Sequence, residues 1–328
     1  MSQLPAPERR VLSLHTTLGS DPVELKCSTL YYPVSCTKDG LTLVFTHGLA
    51  GHKEQYDPAI ARLLIARSNS RYDPRYSWEG DVHNERYCAL PTSIPLYSLA
   101  QVQHSSRNSS FRKLYSLDIC THIHASFSYA LCSRNDRTHI DVPSLTPTDP
   151  RSIHGAANVR GSLAKRDRWT DREALTKWLV GGKGVWRKWD KRVLSSYVRY
   201  GFEEVNESEL GAGKRKSYVT PTLRKDEESP LYACLSHTVE PESLGRACRA
   251  VEEAGRGVHV VWADFEEFIS KMAKKEILDA AEHRVVSQRT IKGAGHLVPQ
   301  EKPDELGEAL VEILNEIVNG SGNTKAKM

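Results

Sequence analysis

Apolar and polar positions along the first part of the chain predict strands that lead into a helix. Strand-like alternation covers Val11–Thr17 and Glu24–Tyr32, and the nearly continuous apolar run Leu41–Thr46 suits a strand buried on both faces. A glycine-containing turn follows that run, and apolar residues then recur at helical spacing from Ile60 to Leu64. Strand, turn and helix in this order predict a βα unit of a parallel sheet.

Helical periodicity dominates from about residue 170 onward. Thr170 and Glu173 have the spacing of a capping box, which predicts a helix start, and a second helix is predicted over Trp189–Tyr200 with Gly201 as its stop. Four of the six tryptophans lie in this part of the chain, at Trp169, Trp178, Trp186 and Trp189. Two interpretations stay open, because these rings can either pack the helices on a core or line an apolar pocket.

The last part of the chain returns to alternating strands and helices. Strands are predicted at Val258–Trp262 and Val285–Ile291, with a charged helix near Ser270–Ala281 between them. A final helix is predicted to start after Pro303, since proline suits a first helical turn. These segments predict two further βα units.

Residues 68–158 differ in kind from the rest. They contain 15 serines, and no glycine lies between Gly80 and Gly155. Tyr115–Cys132 is the one stretch with enough apolar residues for a strand or helix, and no core periodicity is evident elsewhere. The composition is that of an irregular or disordered insertion, or of translation in a wrong frame or through an intron.

One histidine is well placed for proton transfer. His296 ends the turn Gly293-Ala-Gly-His296 after the predicted strand Val285–Ile291, and an imidazole titrates near neutral pH. The strand that ends at Trp262 opens into a segment with three acids that compete to orient this imidazole, namely Asp264, Glu266 and Glu267.

Three segments resemble fungal α/β-hydrolases linked to toxin biosynthesis and to peroxisomal lipases. They are His47–Glu54 with Tyr56, Gly293–Pro303 and Leu163–Trp169. The resemblance implies an α/β-hydrolase-like fold, with a mostly parallel sheet, helices on both faces and a helical cap. It divides the chain into an N-terminal core part (1–67), an aberrant or disordered region (68–158), a cap (159–240), a C-terminal core part (241–318) and a flexible tail (319–328).

The resemblance also implies site residues. Glu267 matches the position of the catalytic acid, with Asp264 as the alternative, and His296 matches the general base. His47, Gly48 and Leu49 match the loop that lends a backbone N–H to an oxyanion, although the same residues suit an ordinary βα turn. The activity implied is that of a serine hydrolase acting on an ester or thioester of a fatty-acyl or polyketide-like molecule.

The nucleophile of such an enzyme is left unassigned. A G-x-S-x-G elbow is expected within residues 68–158, but no glycine of this chain has a serine two places after it. Ser126 lies in the nearest imitation of the motif. The alternatives are a catalytically inactive protein of the same fold, a faulty gene model, an epoxide hydrolase, whose G-x-D-x-G elbow is absent, or a lyase without a covalent nucleophile.

Charge and composition narrow the expected partners. The net charge of +4 is too small to predict a nucleic-acid groove, and no apolar run reaches the length of a membrane span. No cofactor or metal is expected, since the pair His122 and His124 lacks further paired ligands. Ala326-Lys327-Met328 has the small-basic-aliphatic form of a peroxisomal tripeptide, which predicts an import receptor as partner and a peroxisomal location, with the cytoplasm as alternative.

Overall fold

The computed structural model describes twelve segments of the chain. They are residues 7–18, 21–33, 42–46, 51–69, 81–86, 114–117, 150–182, 184–207, 216–233, 241–253, 257–267 and 271–323. Among these residues, no helix is long and apolar enough to cross a membrane.

Strands and helices are interspersed along the described chain. The strands are β1 (Glu8–Leu18), β2 (Asp21–Pro33), β3 (Thr42–Thr46), β4 (Asp81–Arg86), β5 (Leu114–Leu117), β6 (Phe202–Glu207), β7 (Lys216–Pro221), β8 (Val258–Ala263) and β9 (Val285–Ile291). The helices are α1 (Asp57–Asn69), α2 (Pro150–Ala164), α3 (Arg172–Gly181), α4 (Lys191–Tyr200), α5 (Lys225–Ala233), α6 (Pro241–Glu253), α7 (Lys271–Ala280), α8 (Val298–Glu301) and α9 (Pro303–Asn323). Two 3-10 turns cover Lys53–Tyr56 and Val185–Lys188.

Two sheets of the described chain contain parallel strands. The first has the order β1-β2-β4-β3-β5, in which β3 runs parallel to both of its neighbours. The second pairs β8 with β9, also in parallel. The carboxyl ends of β3 and β5, at Thr46 and Leu117, therefore lie at the same edge of the first sheet.

Two strands come from residues 68–158, where the sequence pattern offers a strand or helix only for Tyr115–Cys132, which β5 overlaps. β4 and β5 both lie within residues 68–158, and they flank β3, whose Phe45 is fully buried. Their sequences, DVHNER and LYSL, carry little hydrophobic alternation. Backbone hydrogen bonds to neighbouring strands stabilise such strands. The pattern of apolar and polar side chains does not predict those bonds.

The main core joins the first and last parts of the chain. One face of α1 packs on α9, and both pack on the strands β2, β3 and β9. Gly307 of α9 allows this approach, because a Cβ there would lie 2.7 Å from the carbonyl oxygen of Ala59. The helix predicted to start after Pro303 begins at that residue.

The part of the predicted cap that packs as one cluster consists of α3, the turn Val185–Lys188, α4 and the hairpin β6–β7, and it is called the cap below. The start of α3 differs from the prediction by one residue: Asp171, not Thr170, is the N-cap, and its carboxylate accepts from the amide of Ala174 at 2.7 Å. The hydroxyl of Thr170 instead donates to Asp171. Because a carboxylate is as good a cap as a threonine hydroxyl, the two neighbouring residues compete for this position.

The four tryptophans of the cap pack against one another and against apolar residues of its helices. The ring centroids of Trp169 and Trp178 are 5.3 Å apart, and those of Trp178 and Trp186 are 5.2 Å apart. Leu175 and Leu179 of α3 are fully buried in the same cluster. The packing interpretation of these rings therefore agrees with the structure.

Candidate active site

The histidine loop, Gly293–His296, follows β9 and is tied to the end of β8. The amides of Asp264 and Phe265 both donate to the carbonyl of Ala294, at 3.1 and 3.0 Å. Gly293 has a φ of +70°, which favours glycine, and its amide donates to Oδ2 of Asp264 at 2.9 Å. These bonds fix the histidine at the carboxyl ends of two parallel strands.

Both carboxylate oxygens of Glu267 have partners. Oε2 accepts from the backbone amide of His296 at 3.3 Å, and Oε1 lies 2.5 Å from Nζ of Lys188 in the cap. The bond from Lys188 is the main cause that holds the pKa of Glu267 below its ordinary value, and the amide of His296 adds to it. An ionised carboxylate therefore lies against the backbone of the predicted base.

The two competing acids have other partners. Asp264 accepts from the amide of Gly293, and Glu266 accepts from the amide of Lys271 at the start of α7, at 3.2 Å. Of the three acids, the structure brings Glu267 to His296. The role of each acid toward the imidazole stays a prediction.

A second carboxylate, which the sequence analysis missed, supports the same loop. Glu301 of α8 is buried, and its Oε2 accepts from the amide of Gly295 at 2.7 Å. Burial raises the pKa of the Glu301 carboxyl above its ordinary value. A Cβ at residue 295 would lie 2.7 to 2.9 Å from oxygens of Glu301 and Glu267, so glycine lets both carboxylates approach the loop this closely.

Four polar residues are buried directly after the predicted oxyanion segment. They are His52, Lys53, Glu54 and Gln55, each at most 2% exposed. The Glu54 carboxylate lies 3.2 Å from Nδ1 of His52, 3.3 Å from Nζ of Lys53 and 3.2 Å from Nη2 of Arg9 on β1. One carboxylate thus links β1 to the 3-10 turn Lys53–Tyr56, which follows β3 along the chain. No role for these four side chains is predicted from the sequence.

The charge of Glu54 is set by opposing effects. Burial alone would raise the pKa of the carboxyl, but the hydrogen bond with His52 and the charge of Lys53 outweigh it and lower the pKa to about 2. The carboxylate is therefore ionised throughout the physiological pH range.

The neighbouring Asp57 has the opposite shift, since burial and the charge of Glu54 raise the pKa of its carboxyl to about 6.

We expect Asp57→Asn to stabilise the protein at pH 8. The wild-type folded state there ionises a carboxyl whose pKa is raised by roughly 2 units, at a cost of about 3 kcal/mol. Loss of the favourable charge at the start of α1 offsets about 0.3–1 kcal/mol.

The asparagine keeps an acceptor for the hydroxyl of Tyr32, which donates to Oδ1 of Asp57 at 2.6 Å. The expected gain is about 2–3 kcal/mol at pH 8 by urea unfolding. It should shrink as pH falls from 6 to 4, because the folded wild type then takes up its proton. A gain that is equal at pH 8 and pH 4, or a loss at pH 8, would contradict the assigned cost.

The cap is docked on both segments. The amide of Asp190 donates to the carbonyl of Gln300 at 2.8 Å, beyond His296, and the hydroxyl of Ser196 donates to the carbonyl of Glu54 at 3.0 Å. The ring of Tyr197 stacks on His52 with centroids 5.7 Å apart. The cap therefore contacts the segment that follows the predicted oxyanion residues and the segment that follows His296.

Several predicted residues lie outside the described part of the chain. These are the oxyanion residues His47, Gly48 and Leu49, the nucleophile candidate Ser126, the pair His122 and His124, and the C-terminal Ala326-Lys327-Met328. Thr46 and Gly51 flank the first group.

Comparison with known proteins gives a fold. No protein-family model matches the sequence, and no curated protein matches it either. Solved structures do match. The peroxisomal alpha-beta-hydrolase Lpx1 of Saccharomyces cerevisiae is 13% identical, with a TM-score of 0.62 over 97% of this chain and 91% of that one.

Two further structures match over nearly the whole chain. E-2-(acetamidomethylene)succinate hydrolase is 13% identical, with a TM-score of 0.53 and coverage of 94% of this chain and 100% of that one. The thioesterase domain from the curacin biosynthetic pathway is 8% identical, with a TM-score of 0.53 and coverage of 94% and 99%. At these identities the similarity establishes the architecture and leaves the activity to the site.

Proposed function

We propose that this chain, which has the α/β-hydrolase fold, hydrolyses an ester or thioester, with His296 as general base and Glu267 as the acid that orients it. The observation that carries the proposal is the ionised Glu267 carboxylate against the backbone of His296, at the carboxyl ends of β8 and β9. Ligands of parallel α/β sheets bind at this edge.

The proposed reaction has two steps. A serine hydroxyl attacks the acyl carbonyl while His296 accepts its proton, and the histidine then returns a proton to the leaving group. Water hydrolyses the acyl-enzyme with the same base. Glu267 stabilises the imidazolium, and a backbone N–H of the segment His47–Leu49 binds the oxyanion, a contribution of about 3 kcal/mol in enzymes where it has been removed.

The nucleophile is proposed to lie after β5. β5 runs parallel to β3 and ends at Leu117. Leu117 therefore lies at the same edge of the sheet as Thr46, the residue before the predicted oxyanion segment His47–Leu49. A nucleophile elbow follows a strand at this edge of the sheet. Residues 118–149, which include Ser126, are therefore the segment in which we seek the reactive serine.

The substrate class rests on resemblance. A fatty-acyl or polyketide-like ester or thioester is proposed, in fungal secondary-metabolite or toxin biosynthesis or in peroxisomal lipid metabolism. The motifs at His47–Glu54 and Gly293–Pro303 support it, as do the names of two similar structures, a peroxisomal hydrolase and a thioesterase domain from a biosynthetic pathway.

The role of Glu267 predicts a large loss on substitution. Glu267→Gln should lower kcat for a nitrophenyl ester or an acyl thioester by roughly 100-fold or more, because the amide does not stabilise the imidazolium. Glu266→Gln is the matched control, one residue away and also exposed. Equal rates for the two variants would remove Glu267 from the proposed mechanism, and a large loss in Asp264→Asn with intact folding would move the role to the alternative acid.

The proposed location is the peroxisome. A fluorescent protein fused ahead of the chain should colocalise with a peroxisomal marker in a fungal cell, and deletion of Ala326-Lys327-Met328 should make the fluorescence cytoplasmic. Cytoplasmic fluorescence of the undeleted fusion would contradict the proposed location.

The second candidate is a catalytically inactive binding or scaffold protein of the same fold. The sequence favours it in one respect, since no G-x-S-x-G motif is present. Sequencing the transcript across residues 68–158 separates this candidate from a faulty gene model, because an authentic reading frame would leave the missing motif as a property of the protein.

A further inference from the structure

We propose that Lys188 of the cap is a positioning residue, whose ammonium group holds the Glu267 carboxylate against the histidine loop. The inference rests on the proposed function, in which Glu267 orients His296. It assigns the cap a part in assembling the catalytic groups, in addition to any contact with substrate.

Two carboxylates lie close together at the histidine loop. Glu301 accepts from the amide of Gly295 at 2.7 Å, and Glu267 accepts from the next amide, that of His296, at 3.3 Å. Oxygens of both carboxylates lie within 3 Å of the point where a Cβ of residue 295 would stand. Two carboxylates this close disfavour each other's ionisation. Glu267 is partly exposed, at 34% of its side chain, so it is the one with room to turn away.

The ammonium group of Lys188 offsets the repulsion between these two carboxylates. Nζ of Lys188 lies 2.5 Å from Oε1 of Glu267, which leaves Oε2 for the amide of His296. The charge of Lys188 also lowers the pKa of Glu301, against the effect of burial. Two other ionisable groups lie at this cluster: His296, whose protonated form lowers the pKa of Glu267, and Lys302, which pairs with Glu305 at 3.3 Å. Lys188 therefore bonds to Glu267, the more exposed of the two carboxylates.

Contacts between the cap and the core position Lys188. Lys188 ends the turn Val185–Lys188, and two residues later the amide of Asp190 donates to the carbonyl of Gln300. Arg192 bonds to Asp304 at 2.8 Å, on the first turn of α9. These contacts dock the cap on the segment that follows His296, so that correct seating of the cap places the ammonium group over Glu267.

The ion pair is too exposed to serve mainly for stability. Lys188 is 52% exposed, and pairs of this kind contribute little to folding. We therefore expect Lys188→Met to leave the unfolding midpoint in urea unchanged, which makes the functional comparison interpretable.

The test that is independent of activity is an NMR titration of the His296 backbone amide. An amide proton that donates to a carboxylate changes its chemical shift as that carboxylate takes up a proton. In the wild type the midpoint should lie below that of an ordinary glutamate, whereas Lys188→Met should raise it by roughly one pH unit. Lys188→Arg should restore the low midpoint, and Arg187→Met, the exposed neighbour, should leave it unchanged. An unchanged midpoint in Lys188→Met would overturn the proposal.

The second test uses the rate of labelling by a fluorophosphonate probe. Lys188→Met should slow labelling roughly tenfold in the wild-type background and have no further effect in Glu267→Gln, because a residue that acts through Glu267 is not additive with its loss. The same slowing in both backgrounds would overturn the proposal. If the wild type is not labelled at all, the proposed hydrolase fails, and the amide titration still decides whether Lys188 holds Glu267.

Discussion

Glu54→Gln is expected to lower the free energy of unfolding by about 3–5 kcal/mol, the typical cost of removing one partner from a buried ion pair. The substitution keeps the shape of the side chain but removes the charge that faces three cationic or ionisable groups, Arg9, His52 and Lys53. Lys53 is fully buried, so its ammonium group would lose the carboxylate that compensates its burial.

The pH dependence of this loss has a defined sign. The folded pKa of Glu54 is about 2, below the ordinary value of 4.5. Its ionised form therefore contributes stability above pH 4.5, which is lost as pH falls toward 2, and a shift of this size corresponds to about 3 kcal/mol. The difference between wild type and variant should be largest near pH 7 and should shrink below pH 4.5.

Urea unfolding at several pH values measures this difference. The matched control is Glu203→Gln, which removes an exposed carboxylate on β6 and should change stability by less than about 0.5 kcal/mol. If Glu54→Gln lowers the free energy of unfolding at pH 7 by less than about 1 kcal/mol, the buried cluster does not hold β1 against the turn Lys53–Tyr56.

His296→Ala is expected to lower kcat/KM for an acyl ester or thioester by roughly 10³-fold or more, since the variant lacks the proposed base in both steps. The backbone of the loop should stay in place, because its hydrogen bonds involve main-chain groups and the carboxylates of Asp264, Glu267 and Glu301. Steady-state kinetics with one ester and one thioester measure the effect.

A histidine outside the proposed site provides the control. His283 is 81% exposed in the turn after α7 and has a φ of 56°, which asparagine tolerates. His283→Asn should leave kcat/KM within about twofold of the wild type. Retained activity in His296→Ala would exclude this histidine as the base.

The fold was largely predictable where apolar residues recur at regular spacing. Val285–Ile291 is a strand and a helix begins at Pro303, both as predicted. The α/β-hydrolase fold implied by the motifs is confirmed by the similar solved structures. Local pattern was sufficient in these segments because each buries one face or one stripe in the core.

The strands β4 and β5 were not predictable from that pattern. Leu114–Leu117 lies at the start of a stretch for which strand and helix were both open, and Asp81–Arg86 is polar at most positions. Both are held by pairing with β3, which lies more than thirty residues away along the chain from either strand. A partner so distant leaves no periodic signal in the strand itself.

The supporting residues of the site were also missed. Charged residues are expected at the surface, so the run His52–Gln55 gave no indication that all four side chains are buried. Its partners come from β1 and from the cap, at Arg9 and Tyr197. Glu301 lies within the motif Gly293–Pro303, but its bond to Gly295 follows from the geometry of the turn.

The central claim, that this chain is a serine hydrolase with His296 as its base, is tested most directly by covalent labelling. The folded wild type and His296→Ala would be treated with a fluorophosphonate probe, and labelled peptides would be mapped by mass spectrometry. The account predicts that one serine within residues 118–149 is labelled in the wild type and unlabelled in the variant. A folded wild-type protein without any labelled serine, or equal labelling of the two proteins, would contradict it.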